Sequence, residues 1–403
     1  MIESGLFRRQ IEQAKKLNLK KFKPPKFSQP QVDKDNANKL SWQEYKEKMR
    51  PLAVVNIPNI KTELVVTPKN VPWTFRDVNI YIGDDDKDVF EISDLDDKEG
   101  DVFMGLNTYL AKRVLDDQNI SEIHVSIGFN PDDFSPGHHS IKRLHSHVYT
   151  VDHDEIEKKS EKLYWESMSK YEKLTFIEPM SQVYYEYLNN LIKKGVIKRE
   201  LFKKEIENNT GFISMYLDKN IDSSELFDFI KILYVEFQKE HDFIEKIFTN
   251  KEITADTGRY IPRSDDERQF LMQEYLNKNK DVFSPETKRM FLRLAHNLTP
   301  AVPQENGIFS INSNETLWIS KGFAGAFTFS FVEGNDLIRV DFLPRVLSTN
   351  TVEKTIFGKE KPTKIERGVN DASLNDRLLM DRYHQRIIEL TNEFQRALNS
   401  SVT

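Results

Sequence analysis

The strongest structural signal in this 403-residue chain lies in the run His139-Ser140-Ile141-Lys142-Arg143-Leu144-His145-Ser146-His147-Val148-Tyr149. Its alternation of polar and apolar residues predicts a β-strand, in which residues two apart share a face. The side chains expected on one face are those of Arg143, His145, His147 and Tyr149. A cation, two imidazoles and a phenol are poor core material. They suit phosphate instead, because arginine donates paired hydrogen bonds to phosphate oxygens and an oriented histidine can attack phosphorus.

The segment before this strand has the composition of an anion-binding loop. It leads from Gly128-Phe129-Asn130 through Pro131 and Pro136-Gly137 to Ser140. A turn-rich loop of this kind allows backbone N–H groups and a hydroxyl to converge on an anion. Five of the nine histidines of the chain fall within the sixteen residues from His138 to His153. The loop and the strand together are therefore the predicted site.

Outward from the histidine strand, the pattern is typical of an α+β fold. Strands are predicted at Leu64-Val65-Val66, at Val78 to Ile82 and at Glu122 to Phe129, which are rich in β-branched and aromatic residues. A helix is expected from Asp96, where Glu99 completes a capping box.

The chain divides into four regions. Residues 1–50 are predicted to form a lysine-rich arm with one or two helices, the second running through Ser41-Trp42-Gln43-Glu44. Residues 51–152 carry the predicted histidine strand. Residues 153–298 show long helical patterns and predict a helical subdomain. Residues 299–403 return to β structure and end in a predicted helix from Ser373 to about Asn399.

The second β region is centred on a stripe of phenylalanines, Phe327, Phe329 and Phe331, which alternates with Thr328 and Ser330. The stripe is expected to face a core. A turn at Gly334-Asn335-Asp336 should then lead into a returning strand over residues 337–343.

Composition narrows the class of protein. The chain has 38% hydrophobic and 30% charged residues, no cysteine and a formal net charge of −6. Disulfides, thiol nucleophiles and sulfur-based zinc sites are therefore absent, and the charge argues against nucleic acid as a partner. No apolar run is long enough to cross a bilayer, so we expect a cytoplasmic protein with no membrane partner. The acidic stretch from Asp84 to Asp88 is expected to be a solvated loop between a strand and a helix.

The histidine run resembles the signature of the histidine-triad superfamily, which reads Gln-Ser-Val-x-His-φ-His-φ-His-φ, where φ is apolar. The second β region ends in Leu337-Ile338-Arg339-Val340-Asp341-Phe342-Leu343-Pro344-Arg345. This resembles the matching strand of galactose-1-phosphate uridylyltransferase-like and dinucleoside polyphosphate phosphorylase-like proteins. The resemblance implies an α+β fold with two histidine-triad-like antiparallel β halves and, here, a large helical insertion between them.

The same resemblance implies a nucleotidyl transferase, phosphorylase or hydrolase that acts through a covalent nucleotidyl-histidine. His145 takes the place of the nucleophile, His147 the third histidine position and Ser140 that of the phosphate-contacting serine. The residues implied to contact substrate are Asn130, Arg143, His139 and Tyr149. Arg143 replaces the first histidine of the pattern, and His139 stands where glutamine is common. The implied partner is a nucleotide or a nucleotide sugar, no organic cofactor is indicated, and the oligomeric state stays open.

Two alternatives from other classes remain. His145 and His147, with His138 or His139 and a carboxylate such as Asp152, have the ligand types of a zinc or iron site. Alternatively, the chain is a non-catalytic interaction protein with a degenerate histidine-triad fold, which is consistent with the replacement of the first histidine by Arg143. Of the remaining histidines, His241 and His384 lie in charged helical patterns and are expected to be solvated.

Overall fold

The computed structural model describes residues 41–71, 74–87, 89–116, 120–129, 143–150, 177–209, 212–248, 264–296, 299–300, 308–312, 315–318, 324–345 and 374–401. No helix in these ranges is both long enough and apolar enough to cross a membrane.

The α-helices of the described ranges are α1 (Trp42–Met49), α2 (Asp97–Leu115), α3 (Ile177–Lys193), α4 (Ser223–Phe248), α5 (Asp265–Lys278), α6 (Pro285–His296) and α7 (Leu374–Ser400). The strands are β1 (Ala53–Asn56), β2 (Glu63–Val71), β3 (Thr74–Gly83), β4 (Glu122–Phe129), β5 (His145–Thr150), β6 (Glu207–Asn209), β7 (Phe212–Asp218), β8 (Thr299–Pro300), β9 (Ile308–Asn312), β10 (Glu315–Trp318), β11 (Ala324–Val332) and β12 (Leu337–Arg345).

Nine of these strands form one antiparallel sheet, in the order β1-β2-β3-β5-β4-β11-β12-β7-β6. The pairing of β4 with β11 joins the β region before the helices to the one after them. Strands β10, β9 and β8 form a small separate sheet. The architecture is therefore α+β, as the sequence predicted.

One face of the large sheet is apolar and carries the core. The predicted phenylalanine stripe on β11 is confirmed, because Phe327, Phe329 and Phe331 are at most 1% exposed. Helices α2, α3, α4 and α7 pack with this sheet and with one another. Gly334 adopts φ +70° in the turn between β11 and β12, a left-handed conformation in which glycine avoids a steric penalty.

Three helices begin at capping residues that can be recognised in the sequence. The side chains of Ser41, Asp96 and Ser264 each accept a hydrogen bond from the backbone N–H three residues later. In all three cases the glutamate carboxylate at that third position accepts a hydrogen bond from the backbone N–H of the first residue. These reciprocal capping boxes satisfy donors that a helix N-terminus otherwise leaves unpaired.

Residues 153–298 are not helical throughout. Strands β6 and β7 interrupt the helices. Strand β7 pairs with β12, and β6 pairs with β7 as the edge strand of the large sheet. The apolar residues of β7, such as Ile213, Met215 and Leu217, are fully buried. The region between the two β regions therefore contributes to the sheet as well as to the helical layer.

The two helical histidines expected in solvent are buried, so that expectation was wrong. His241 on α4 is 1% exposed and lies 3.4 Å from the hydroxyl of Tyr184. His384 on α7 is 7% exposed, and burial lowers its pKa to about 4. Both lie on amphipathic helices, and the spacing of apolar residues predicts the direction of the buried face of a helix but not its width.

The helical layer contains a buried carboxylate whose ionisation opposes folding. Glu240 on α4 is 5% exposed, and burial raises its pKa, while Tyr275 and Lys278 act in the opposite direction. A carboxyl with a raised folded-state pKa holds a proton that the unfolded chain releases. The free energy of unfolding therefore falls as pH rises from the ordinary carboxyl pKa through the folded value.

Glu240→Gln should raise the stability of the protein at pH 7 by about 1 kcal/mol and flatten its pH dependence above about pH 4. Denaturant unfolding between about pH 4 and pH 8 measures both effects. Glu389→Gln, which removes a half-exposed carboxylate paired with Arg386, is the matched control and should leave the profile unchanged. A Glu240→Gln protein less stable than wild type at pH 7 would contradict the account.

Candidate functional site on the polar face of the sheet

The face of the sheet opposite the phenylalanine stripe is polar across both halves. Directly paired residues of antiparallel strands point to the same side. One row of such pairs runs Asn79, His147, Ser126, Thr328, Asp341 and Ser214. A second, parallel row runs Asp77, Tyr149, His124, Ser330, Arg339 and Tyr216.

His145 stands at the start of β5, beside these rows and opposite Tyr81 on β3. Its Nδ1 lies 2.8 Å from the backbone carbonyl oxygen of Arg143. A carbonyl oxygen only accepts hydrogen bonds, so Nδ1 must carry the proton. In the neutral ring the lone pair is then on Nε2. The ring also stacks on Tyr81, with centroids 4.9 Å apart and planes inclined by 25°.

Tyr81 is itself held as a neutral phenol. It is 3% exposed, and burial raises its pKa to about 12, an effect that hydrogen bonds to Asn79 and Tyr45 reduce. The side-chain amide of Asn79 donates to the Tyr81 hydroxyl at 2.8 Å. The surface beneath His145 is therefore a fixed, uncharged ring.

His147 is the second imidazole of the site, with its ring centroid 5.2 Å from that of His145. Its side chain is 26% exposed, and its Nδ1 lies 3.6 Å from Oδ2 of Asp77, a carboxylate with no exposed surface. A carboxylate at this distance is close enough for electrostatic attraction to a charged imidazole.

The strand that carries both histidines is anchored from the apolar side. The Ser146 hydroxyl donates to Oδ1 of Asn107 on α2 at 2.6 Å. The Tyr383 hydroxyl of α7 donates to the carbonyl of Val148 at 3.1 Å. Two helices thus fix β5 on both sides of His147.

A third histidine, which the sequence analysis did not single out, lies on the neighbouring strand. His124 Nε2 is 2.6 Å from Oε1 of Glu122, and its Nδ1 is 3.1 Å from the hydroxyl of Ser330. The ring stacks on Tyr149 at 5.7 Å and is fully buried. The alternation of Glu122, His124 and Ser126 along β4 is the sequence signal that could have found it.

In the second half of the sheet, an ion pair lies in the same two rows of the polar face as His147 and Tyr149. Oδ1 of Asp341 accepts hydrogen bonds from Nε of Arg339 at 2.7 Å and from the Ser214 hydroxyl at 2.7 Å. Asp341 is fully buried. Within β11, β12 and β7 the polar face carries no histidine, so the imidazoles of the described face all belong to the first half.

Arg143 is placed differently from the expectation that it belongs to the histidine strand. The strand begins at His145, and Arg143 is 6% exposed. Its guanidinium carbon lies 5.5 Å from the ring centroids of both Trp42 and Tyr45 on α1.

The structure thus brings His145, His147 and Tyr149 together on the polar face, while the side chain of the fourth described site residue, Arg143, lies against α1. The other three, Asn130, His139 and Ser140, lie outside the described residues, as do His138 and Asp152 of the metal alternative. Among the residues that are described, no group of three or more potential ligands could hold a metal ion. The acidic loop is described at residues 84–87, where Asp86 is paired with Lys61.

No protein-family model and no curated protein matches the chain. Among solved structures, a DUF4931 family protein from Bacillus cereus ATCC 10987 is similar at 9% sequence identity and a TM-score of 0.27. The alignment covers 82% of this chain and 98% of that protein.

Proposed function

We propose that the protein is a nucleotidyl transferase, phosphorylase or hydrolase that works through a covalent nucleotidyl-histidine at His145. The observation that carries the proposal is the contact between Nδ1 and the Arg143 carbonyl, which places the proton of the neutral ring on Nδ1 and the lone pair on Nε2, the nitrogen assigned to the attack. The resemblance of the histidine run to the histidine-triad signature supports the same assignment, and so does a sheet in which two antiparallel β regions meet at β4 and β11.

In the first step, Nε2 of His145 attacks the α-phosphorus of the nucleotide. A nitrogen–phosphorus bond forms while the bond from phosphorus to the leaving-group oxygen breaks. His147 donates a proton to that oxygen, because the adjacent Asp77 carboxylate favours the protonated ring. In the second step, water, phosphate or a sugar phosphate attacks the phosphorus and gives up its proton to the now neutral His147, and His145 is released.

The remaining roles follow the resemblance. Ser140, Asn130 and His139 contact the phosphates, and Tyr149 lines the face beside His147. Hydrogen bonds from such groups stabilise the charge that develops on the phosphoryl oxygens. The histidine-triad-like character of both β halves and the nucleotide or nucleotide-sugar substrate belong to this proposal.

Isotope exchange tests the two-step path. The protein is incubated, without added acceptor, with an unlabelled nucleoside triphosphate, nucleotide sugar or dinucleoside polyphosphate. The free leaving group of that compound is added in labelled form. A reversible covalent step moves label into unreacted substrate, because the leaving group departs before an acceptor is needed. Absence of exchange with every compound, under conditions where one of them is turned over, would contradict the proposal.

Asp77→Asn is expected to slow nucleotidyl transfer by about 10- to 100-fold, because His147 loses the charge that favours its protonated form. The loss should be small with a nucleoside 5′-(4-nitrophenyl phosphate), whose leaving group departs without a proton. Asp341→Asn is the matched control, since it removes a buried carboxylate on the same face four strand spacings, about 19 Å, from Asp77. Equal losses with both leaving groups would show that Asp77 does not act through acid catalysis.

A further inference from the structure

We propose that Arg143 is a positioning residue and that helix α1 is part of the support of the nucleophile. In this arrangement the buried guanidinium fixes the backbone carbonyl that holds Nδ1 of His145. The inference rests on the proposed function at His145 and reassigns the arginine that stands in place of the first histidine. It also gives the helix of the N-terminal arm a role in the site.

The guanidinium of Arg143 lies against two aromatic rings. Its carbon is 5.5 Å from the ring centroid of Trp42 and 5.5 Å from that of Tyr45, within the range of a cation–π contact. With 6% of the residue exposed, the contact is largely desolvated, which strengthens it. The side chain therefore ties residue 143 to α1, and the carbonyl of the same residue accepts the hydrogen bond from His145.

A second route connects the same helix to the same imidazole. The ring of Tyr45 meets Tyr81 edge to face at 5.6 Å, and Tyr81 stacks on His145 at 4.9 Å. Helix α1 thus constrains His145 twice, through a backbone carbonyl that fixes the tautomer and through a ring that fixes the plane. Hydrogen-bond partners of one ring nitrogen set which nitrogen is free to react.

The docking of α1 on the sheet is specific. Trp42 Nε1 donates to Oε1 of Glu63 at 2.7 Å, and Lys46 pairs with the same carboxylate oxygen at 2.5 Å. A β-carbon at Gly83 would lie 2.3 Å from the Trp42 ring, so β3 leaves room for the indole only because this residue is glycine. Trp42, Tyr45 and Met49 are buried in a cluster with Val65 and Tyr81. This helix is a fixed part of the structure around His145.

The alternative role for Arg143 is direct contact with substrate phosphate, as the sequence implied. The two roles differ in what they require of Trp42. A phosphate ligand acts without the indole, whereas a positioning residue loses its effect when either side of the contact is removed. Arg143→Met and Trp42→Leu should therefore have the same consequence at His145 if Arg143 acts through its carbonyl.

The test is nitrogen NMR of the full-length protein labelled with ¹⁵N-histidine, at about pH 8.5, where an ordinary imidazole is neutral. His145 is assigned by the loss of its signals in His145→Gln. In the wild type we expect Nδ1 protonated and Nε2 unprotonated. In both Arg143→Met and Trp42→Leu, the population with a proton on Nε2 should rise severalfold. Arg143→Lys, which keeps a cation over the rings, should restore much of the wild-type ratio.

The matched control is Arg199→Met, which removes a cation 5.9 Å from the Phe202 ring in another part of the fold and should leave His145 unchanged. Melting curves establish that each variant is folded, and Trp42→Met, which also removes the ring, replaces Trp42→Leu if the latter is not. Wild-type tautomer ratios in folded Arg143→Met or Trp42→Leu would overturn the proposal. Because the readout needs no nucleotide, a failure of the proposed function would leave this result intact and separately interpretable.

Discussion

His145→Ala is expected to reduce turnover of the best nucleotide substrate by a factor of about 10⁴ or more and to abolish label exchange. The imidazole is the only group assigned to form the bond to phosphorus, and loss of a nucleophile removes the covalent path entirely. The other residues of the face still bind substrate, so KM should change far less than kcat. His147→Gln should be slower than wild type but retain exchange, because it removes the proton donor and keeps the nucleophile.

His241→Gln is the matched control for these variants. It replaces a buried histidine of α4 that lies near Tyr184 in the helical layer and takes no part in the polar face. Its activity should stay near wild type after correction for any loss of folded protein. Full turnover in His145→Ala, measured beside this control, would exclude His145 as the nucleophile.

Phe342→Ala is expected to cost about 3–5 kcal/mol of stability, the largest effect we predict for a core substitution. Phe342 is fully buried on β12, where its ring lies 4.9 Å from Phe327, 4.8 Å from Phe237 and 6.0 Å from Tyr184. It therefore joins two strands of the sheet to helices α3 and α4. Truncation leaves a cavity that surrounding rings cannot fill without moving.

Denaturant unfolding measures this loss as a lower transition midpoint at an unchanged slope. The control is Phe270→Ala on α5, where the ring is 63% exposed and truncation should change stability by less than about 0.5 kcal/mol. A loss below about 1 kcal/mol for Phe342→Ala would mean that the sheet and the helical layer are not packed as described.

The sequence predicted best what short-range patterns determine. Strand β4 spans the predicted Glu122 to Phe129, and a helix begins after Asp96 with the predicted capping box to Glu99. The alternation of His145 and His147 predicts from sequence alone that both rings share one face, because the two-residue period of a strand is a local property.

Long-range pairing was beyond the same reasoning. Nothing local to β7 indicates that it pairs with β12, more than a hundred residues later. The same holds for Asp77, whose proximity to His147 depends on β3 and β5 being neighbours. The position of the Arg143 side chain was also not predictable, because its contact with Trp42 and Tyr45 depends on where α1 packs. In each case the missing information is a tertiary contact.

The most direct test of the central claim is mass spectrometry of the protein quenched during reaction with the nucleotide panel, followed by peptide mapping. The account predicts one nucleotide added per chain, labile in acid as a phosphoramidate is, and located on His145. An adduct on a serine, tyrosine or lysine would contradict it. So would the absence of any adduct together with a stoichiometric transition metal in the native protein, which would favour a metal-dependent enzyme instead.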